Sequence, residues 1–183
     1  MTPADPSRQR RSRFGLGATV VATGLTCGAC DTFGEPTPTT VQLGAVEANA
    51  TVDFVVDGDT IDAIIDGREE RVRLIGIDTP ETKKPDTPIE CYGPEASSFL
   101  ESLLPGGTPV RLERDVVGRD DFGRLLAYVY RADDAIFVNY EIVRQGYATP
   151  LTIRPNDTFE DLFVDAARDA ERDDVGLWDA CPS

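Results

Sequence analysis

Two short segments hold most of the chemical capacity of this chain: Asp57-Gly58-Asp59-Thr60, and the run from Arg73 to Thr82 that contains Asp78, Thr79, Pro80 and Glu81. A third contribution is Arg124, which follows Phe122-Gly123. Carboxylates at 57, 59 and 78 are hard oxygen donors of the kind that Ca²⁺ gathers in sets of about six to eight. Glu81 lies in a loop bent by Pro80, where a carboxylate is by default exposed to solvent. Guanidinium groups stay charged and present paired donors that suit two phosphoryl oxygens. Each group also has an ordinary reading. Acidic residues beside a turn and an arginine on a strand are commonly solvated surface groups, so residue type alone leaves both readings open.

The elements that must position these groups can be read from periodicity and turn residues. Residues 51–56 and 60–65 read as strands divided by the 57–59 turn, and Asp66-Gly67 makes a second hairpin turn into a third strand over 70–77. Pairing of the second and third strands would bring Asp59 and Asp78 to the same end of the hairpin. Residues 78–92 are aperiodic and read as a loop. A helix should follow, since Ala96, Phe99, Leu100, Leu103 and Leu104 share a helical face, and Pro105-Gly106-Gly107 should stop it. Further strands are expected at 109–114 and 125–131, with a short return at 136–138. A short helix around 140–145 should end at Gly146, and a last one should start from a cap near Asn156 or Asp157. The pattern is α+β: a small five-stranded barrel decorated by about three helices.

The blocks Asp57-Gly58-Asp59-Thr60, Arg73 to Thr82, Tyr92-Gly93-Pro94-Glu95-Ala96, Phe122-Gly123-Arg124, Val143 to Ala148 and Gly176-Leu177-Trp178 occur in this order. Together they resemble the staphylococcal nuclease (thermonuclease) family, over nearly the whole of residues 50–178. The resemblance implies an OB-fold barrel and hydrolysis of phosphodiester bonds in DNA, with RNA as a second candidate substrate. It also implies Ca²⁺ as cofactor, with Asp59, Asp78 and the Thr79 carbonyl as direct ligands and Asp57 in an outer shell. Glu81 would be the general base, and Arg73 and Arg124 would stabilise phosphoryl charge.

The chain also departs from the family. Asp121-Phe122 stands where the best-known member has Lys-Tyr, and Leu151 lies near the place of a pocket tyrosine. Phe122 either stacks on a base or sugar or packs on the barrel. Two other function classes compete with the enzyme: a non-catalytic module of this fold that binds nucleic acid or protein, and a surface protein using calcium only as a staple. The complete set Asp59, Asp78, Glu81, Arg73 and Arg124 favours the enzyme.

The net charge of -15 includes four Arg and one Asp in residues 1–30, so residues 31–183 carry -18. With 21 Asp, 12 Glu, 16 Arg and 2 Lys, the surface reads either as one suited to concentrated salt or as merely acidic. Residues 1–30 read as an export signal, with Arg8, Arg10, Arg11 and Arg13 ahead of a small-residue apolar run. The Arg10-Arg11 pair is similar to a twin-arginine signal, and Ala29-Cys30 is similar to a lipidation site. Residues 31–48 read as a Thr/Pro-rich linker and 49–183 as the nuclease-like domain. Export would place the protein outside the cell, either secreted or anchored to the outer face of the membrane through Cys30. Its only membrane contact would then be the anchor, and a monomer without an obligate protein partner is expected. If Cys27 and Cys30 belong to the signal, Cys91 and Cys181 remain, as a disulfide or as two free thiols.

Overall fold

The computed structural model describes residues 44–83 and 88–181. The export signal, Cys30 and most of the expected linker lie outside the described residues. Five strands close into a barrel in the order β1-β2-β3-β6-β5: β1 (Ala50–Asp57), β2 (Thr60–Ile65), β3 (Arg68–Leu74), β5 (Pro109–Glu113) and β6 (Leu125–Arg131). β3 and β6 run parallel and the other neighbours antiparallel, with β5 returning to β1 through Ala50↔Val110 and Thr51↔Pro109. Alternation along the strands sends Val52, Ile61, Ala63, Val72, Leu74, Val110, Ala127 and Val129 inward, where they are buried.

Helix α1 (Gly93–Leu103) starts with Pro94 in its first turn, buries Ala96 and Leu100, and ends just before Pro105. Helix α2 (Val138–Arg144) and helix α3 (Glu160–Arg172) cover another side of the barrel. Phe163, Ala166, Ala167 and Ala170 form the buried face of α3. Phe137, Phe159 and Phe163 gather around Tyr128 at ring-centroid distances of 6.0, 4.7 and 6.3 Å. A final turn of helix, α4 (Leu177–Ala180), leads to Cys181, which is bonded to Cys91 just ahead of α1 with Cα atoms 5.9 Å apart. No helix among the described residues is long and apolar enough to cross a membrane.

The third strand departs from the sequence expectation. It does not run on to residue 77 with Asp78 closing it. It stops at Leu74, the chain turns at Gly76 (φ 80°), and a separate three-residue strand, β4 (Gly76–Asp78), pairs with β7 (Thr149–Leu151) instead of with β2. The amide of Leu74 donates to the Asp59 carbonyl at 2.8 Å, so Leu74 rather than Asp78 lies opposite Asp59 in the ladder. The break is held by a buried side chain. Asn139 donates from Nδ2 to the Ile75 carbonyl and accepts at Oδ1 from the Val129 amide, both at 2.9 Å.

The start of the last helix also differs. Asn156 does not cap it: its side chain accepts from the Val117 amide at 2.8 Å and donates to the Val117 carbonyl at 2.9 Å, while α3 begins at Glu160. The expected return at 136–138 is reduced to one bridge, Tyr130↔Phe137, because α2 already starts at Val138.

Candidate active site

The β1–β2 turn and the loop leaving β4 meet at one rim of the barrel. Gly58 makes the contact feasible. A Cβ on it would lie 2.6 Å from Thr79 Oγ1 and 3.0 Å from the Ala96 Cβ, so only glycine lets the loop settle on the turn. Thr79 then binds Asp59 Oδ2 through both its amide and its hydroxyl, at 3.1 Å each. Thr60 Oγ1 donates to Asp59 Oδ1 at 3.1 Å, and the Asp59 amide donates to Asp57 Oδ1 at 3.2 Å.

Arg73 joins the two carboxylates that ladder pairing alone would not have brought together. Its Nη1 is ion-paired with Asp59, and its Nη2 donates to Asp78 Oδ1 at 2.8 Å and to the Ile77 carbonyl at 3.2 Å. Burial lowers the pKa of this guanidinium from its usual value; the Asp78 charge opposes that shift and the Arg124 charge reinforces it. Asp57 is pushed up, chiefly by burial and also by the Glu81 charge, against the hydrogen bond with Thr60 and the charges of Arg73 and Arg124. These mutual influences are the electrostatic record of five charged groups converging.

Arg124 leaves the Gly123 turn at the start of β6 under the grip of Asp120. Asp120 Oδ2 accepts from Nε at 2.7 Å, and Oδ1 accepts from the Arg124 amide at 2.9 Å. The guanidinium carbon lies 5.5 Å from the centre of the Phe122 ring, whose side is otherwise in solvent: Phe122 is 86% exposed and does not pack on the barrel. Arg71, on the same strand as Arg73, is taken up by buried Asp62 through bonds of 2.8 and 2.9 Å and stays out of the cluster.

A cavity of about 210 Å³ is lined by Asp57, Asp59, Thr60, Arg73, Asp78, Thr79, Pro80, Glu81 and Arg124. Every residue singled out for catalysis, metal binding or the outer shell is in that lining. Beyond the two arginines a second cavity of about 340 Å³ opens, with Val117, Phe122, Leu126, Leu151 and Ile153 among its walls. Glu81 Oε1 accepts from the amides of Thr82 and Lys83 at 2.8 and 2.6 Å.

Asp59 and Asp78 are hard oxygen donors already drawn to one positive charge, and that chemistry fits a divalent cation of the calcium type. Among the described residues there is no group of three or more His, Cys, Asp or Glu able to enclose a metal ion, so such an ion would depend on backbone oxygen and water as well. Two contributors escaped the sequence reading. Asp120 and Glu90 look like surface acids in the sequence, but Asp120 pairs with Arg124 across a turn and Glu90 Oε2 accepts the Glu81 amide at 2.9 Å.

Residues 71–180 match the family described as Staphylococcal nuclease homologue, a span holding Arg73, Asp78, Thr79, Glu81 and Arg124. The chain is 42% identical to a thermonuclease of Staphylococcus intermedius over 125 residues, which is 68% of this chain and 73% of that protein. It is 39% identical to a thermonuclease of Staphylococcus hyicus over 124 residues, covering 68% and 72%. It is 38% identical over 132 residues to the endonuclease YncB of Bacillus subtilis (strain 168), covering 71% of this chain and 61% of that protein. With the five-stranded barrel and the convergent acidic and arginine side chains, these likenesses establish that the chain belongs to the staphylococcal nuclease family and is a phosphodiester hydrolase.

Proposed function

We propose that the chain is a calcium-dependent nuclease that cleaves DNA, and RNA as a second substrate, with a water molecule activated by Glu81. The observation that carries this reading is the cavity lined together by Asp57, Asp59, Asp78, Thr79, Glu81, Arg73 and Arg124. Asp59, Asp78 and the Thr79 carbonyl would hold Ca²⁺, with Asp57 in an outer shell. When bound, the ion neutralises phosphate charge and helps to place the attacking water.

The chain's own residues do the remaining work. Glu81 accepts the proton as the water oxygen bonds to phosphorus and the P–O bond of the leaving sugar breaks. Arg73 and Arg124 hold phosphoryl oxygens and offset the charge that builds there, in a pocket where Arg73 is shielded from water. Phe122 and the apolar wall around Leu151 and Ile153 offer a face for a base or sugar rather than a set of hydrogen bonds to one. The Cys91–Cys181 bond supports export to an oxidising compartment, as the basic and apolar pattern of residues 1–30 suggests.

The test is plasmid cleavage by the wild type and Glu81→Gln, with Ca²⁺ and with a chelator. Cleavage by the wild type alone, abolished by chelation, is expected, with Glu81→Gln slowed at least about a hundredfold. Equal rates for the two proteins would refute the assignment of Glu81.

A further inference from the structure

A general base works only if its carboxylate stays within hydrogen-bond reach of the attacking water, and Glu81 sits on a loop outside any helix or strand. It is three residues beyond the end of β4. Its carboxylate is braced by amides of the same loop, those of Thr82 and Lys83. Beside the loop a surface pocket of about 300 Å³ is bordered by Asp78, Thr79, Pro80, Glu90, Cys91 and Cys181.

Glu90, on the border of this pocket, reaches the backbone of Glu81. Glu90 Oε2 accepts the Glu81 amide at 2.9 Å, and the Glu90 amide donates to the Glu81 carbonyl at 3.0 Å. Both backbone polar groups of residue 81 are thus tied to residue 90. Glu90 is anchored in turn. Its carbonyl accepts from the Gly93 amide at 3.1 Å at the start of α1, and its neighbour Cys91 is bonded to Cys181. The α4 segment that ends in Cys181 is fixed to the body of the domain by the Leu177 amide, which donates to the Gly146 carbonyl at 2.8 Å.

We propose that Glu90 is the positioning residue for Glu81, and that the Cys91–Cys181 bond keeps Glu90 in place. This rests on the reading of Glu81 as general base. Loss of either support lets the base drift, which lowers turnover and leaves substrate and ion binding nearly unchanged, since neither Glu90 nor the disulfide belongs to the arginine pair or the carboxylates assigned to calcium. Reduction by a dithiol puts two electrons and two protons on the sulfurs, giving two cysteine thiols, while the dithiol leaves as its cyclic disulfide.

The experiment compares the wild type, Glu90→Ala, Glu90→Gln and the double variant Cys91→Ser/Cys181→Ser. It measures kcat and KM on a defined DNA with Ca²⁺, Ca²⁺ affinity by calorimetry, and exchange of the Glu81 amide by NMR. Glu90→Ala and the double variant should lose roughly ten- to a hundredfold in kcat, with KM and Ca²⁺ affinity within about twofold of wild type. Glu90→Gln should recover most of the rate, because its amide oxygen accepts the same N–H. Dithiothreitol should bring the wild type to the rate of the double variant and leave the double variant unchanged. The Glu81 amide should exchange slowly in the wild type and Glu90→Gln, and fast in Glu90→Ala.

Full turnover in Glu90→Ala beside an inactive Glu81→Gln would overturn the proposal and spare the nuclease reading. A wild type that cleaves nothing with Ca²⁺ would remove the calcium-dependent reading, and the amide exchange would still decide whether Glu90 holds residue 81. Should the double variant fail to fold, Glu90→Ala and its exchange carry the decision alone.

Discussion

Thr79 gives both its amide and its hydroxyl to a single oxygen of Asp59, Oδ2, at 3.1 Å each. Twenty residues of chain are thereby closed onto one carboxylate, and the loop that carries Glu81 is registered against the turn that carries Asp57. Removing the hydroxyl with Thr79→Val keeps the shape and loses one bond to a charged acceptor, worth about 2 kcal/mol. Partners that orient a metal ligand cost roughly ten- to a hundredfold in metal affinity when lost. Thr79→Val should therefore need about tenfold more Ca²⁺ for half-maximal cleavage, with a normal rate at saturation. An unchanged Ca²⁺ titration would remove Thr79 from that role.

Asp120 fixes Arg124 at its Nε and its backbone amide, so that on the proposed function the terminal nitrogens of the guanidinium would meet the phosphate. In Asp120→Ala the arginine keeps its charge and loses its aim. Turnover should fall by roughly ten- to a hundredfold, because misplacement of a charged donor by about 1 Å costs that much. Asp120→Asn should keep part of the effect, since its amide oxygen can still accept from one of the two N–H groups. Steady-state kinetics of both variants beside Arg124→Ala checks this. A rate for Asp120→Ala equal to wild type would show that the ion pair is only a surface contact.

The two chemical segments were picked out in sequence by their ordered resemblance to a family, since each is short and contiguous while residue type alone left its role open. Asp57 and Asp59 sit on one turn, and Asp78 to Glu81 occupy four consecutive positions. The barrel strands were legible too, since alternation survives wherever one face is buried. What stayed hidden depends on contacts distant in sequence. The β4–β7 pair is three residues long on each side and includes Pro150, too short for any period to register. Asn156 resembles a helix cap, and its bonds to Val117 cross 39 residues. Glu90 resembles any acidic loop residue until it is seen to hold Glu81.

The acid limit of the fold should depend on Asp115. Burial alone would raise its pKa, but bonds from the Thr158 amide, the Tyr128 hydroxyl and the Thr158 hydroxyl outweigh that and hold it below the ordinary carboxylate range. A carboxyl depressed in the folded state contributes stability that is present above its unfolded value, about 3.9. That contribution is lost as pH falls through the lower folded value. Urea unfolding from pH 7 to pH 3 should show wild-type stability dropping below about pH 4, and Asp115→Asn starting lower but dropping less. Parallel curves for the two proteins would contradict this.

Salt should weaken this enzyme less than its polyanionic substrate would suggest. Outside the cavity most of the described arginines are paired with nearby acids, among them Arg119 with Glu70, Arg131 with Asp134, Arg144 with Glu141, Arg168 with Asp165 and Arg172 with Asp169. Among the described residues those pairs reduce the basic surface offered to DNA, and residues 31–183 repel it with a charge of -18. With Arg73 and Arg124 as the cations of the cavity, about two phosphates are neutralised there, and if these two are the main hold, log affinity should fall against log salt with a slope of about -2. At about 1 M salt the screening length shrinks to roughly 3 Å, which suppresses the long-range repulsion while sparing the close contacts inside the cavity. With Ca²⁺ fixed, kcat should therefore persist to about 1 M NaCl, and log(1/KM) should follow the shallow slope. A slope steeper than about -4 would mean that a wider basic surface grips the substrate, and that the two cavity arginines are not its main hold.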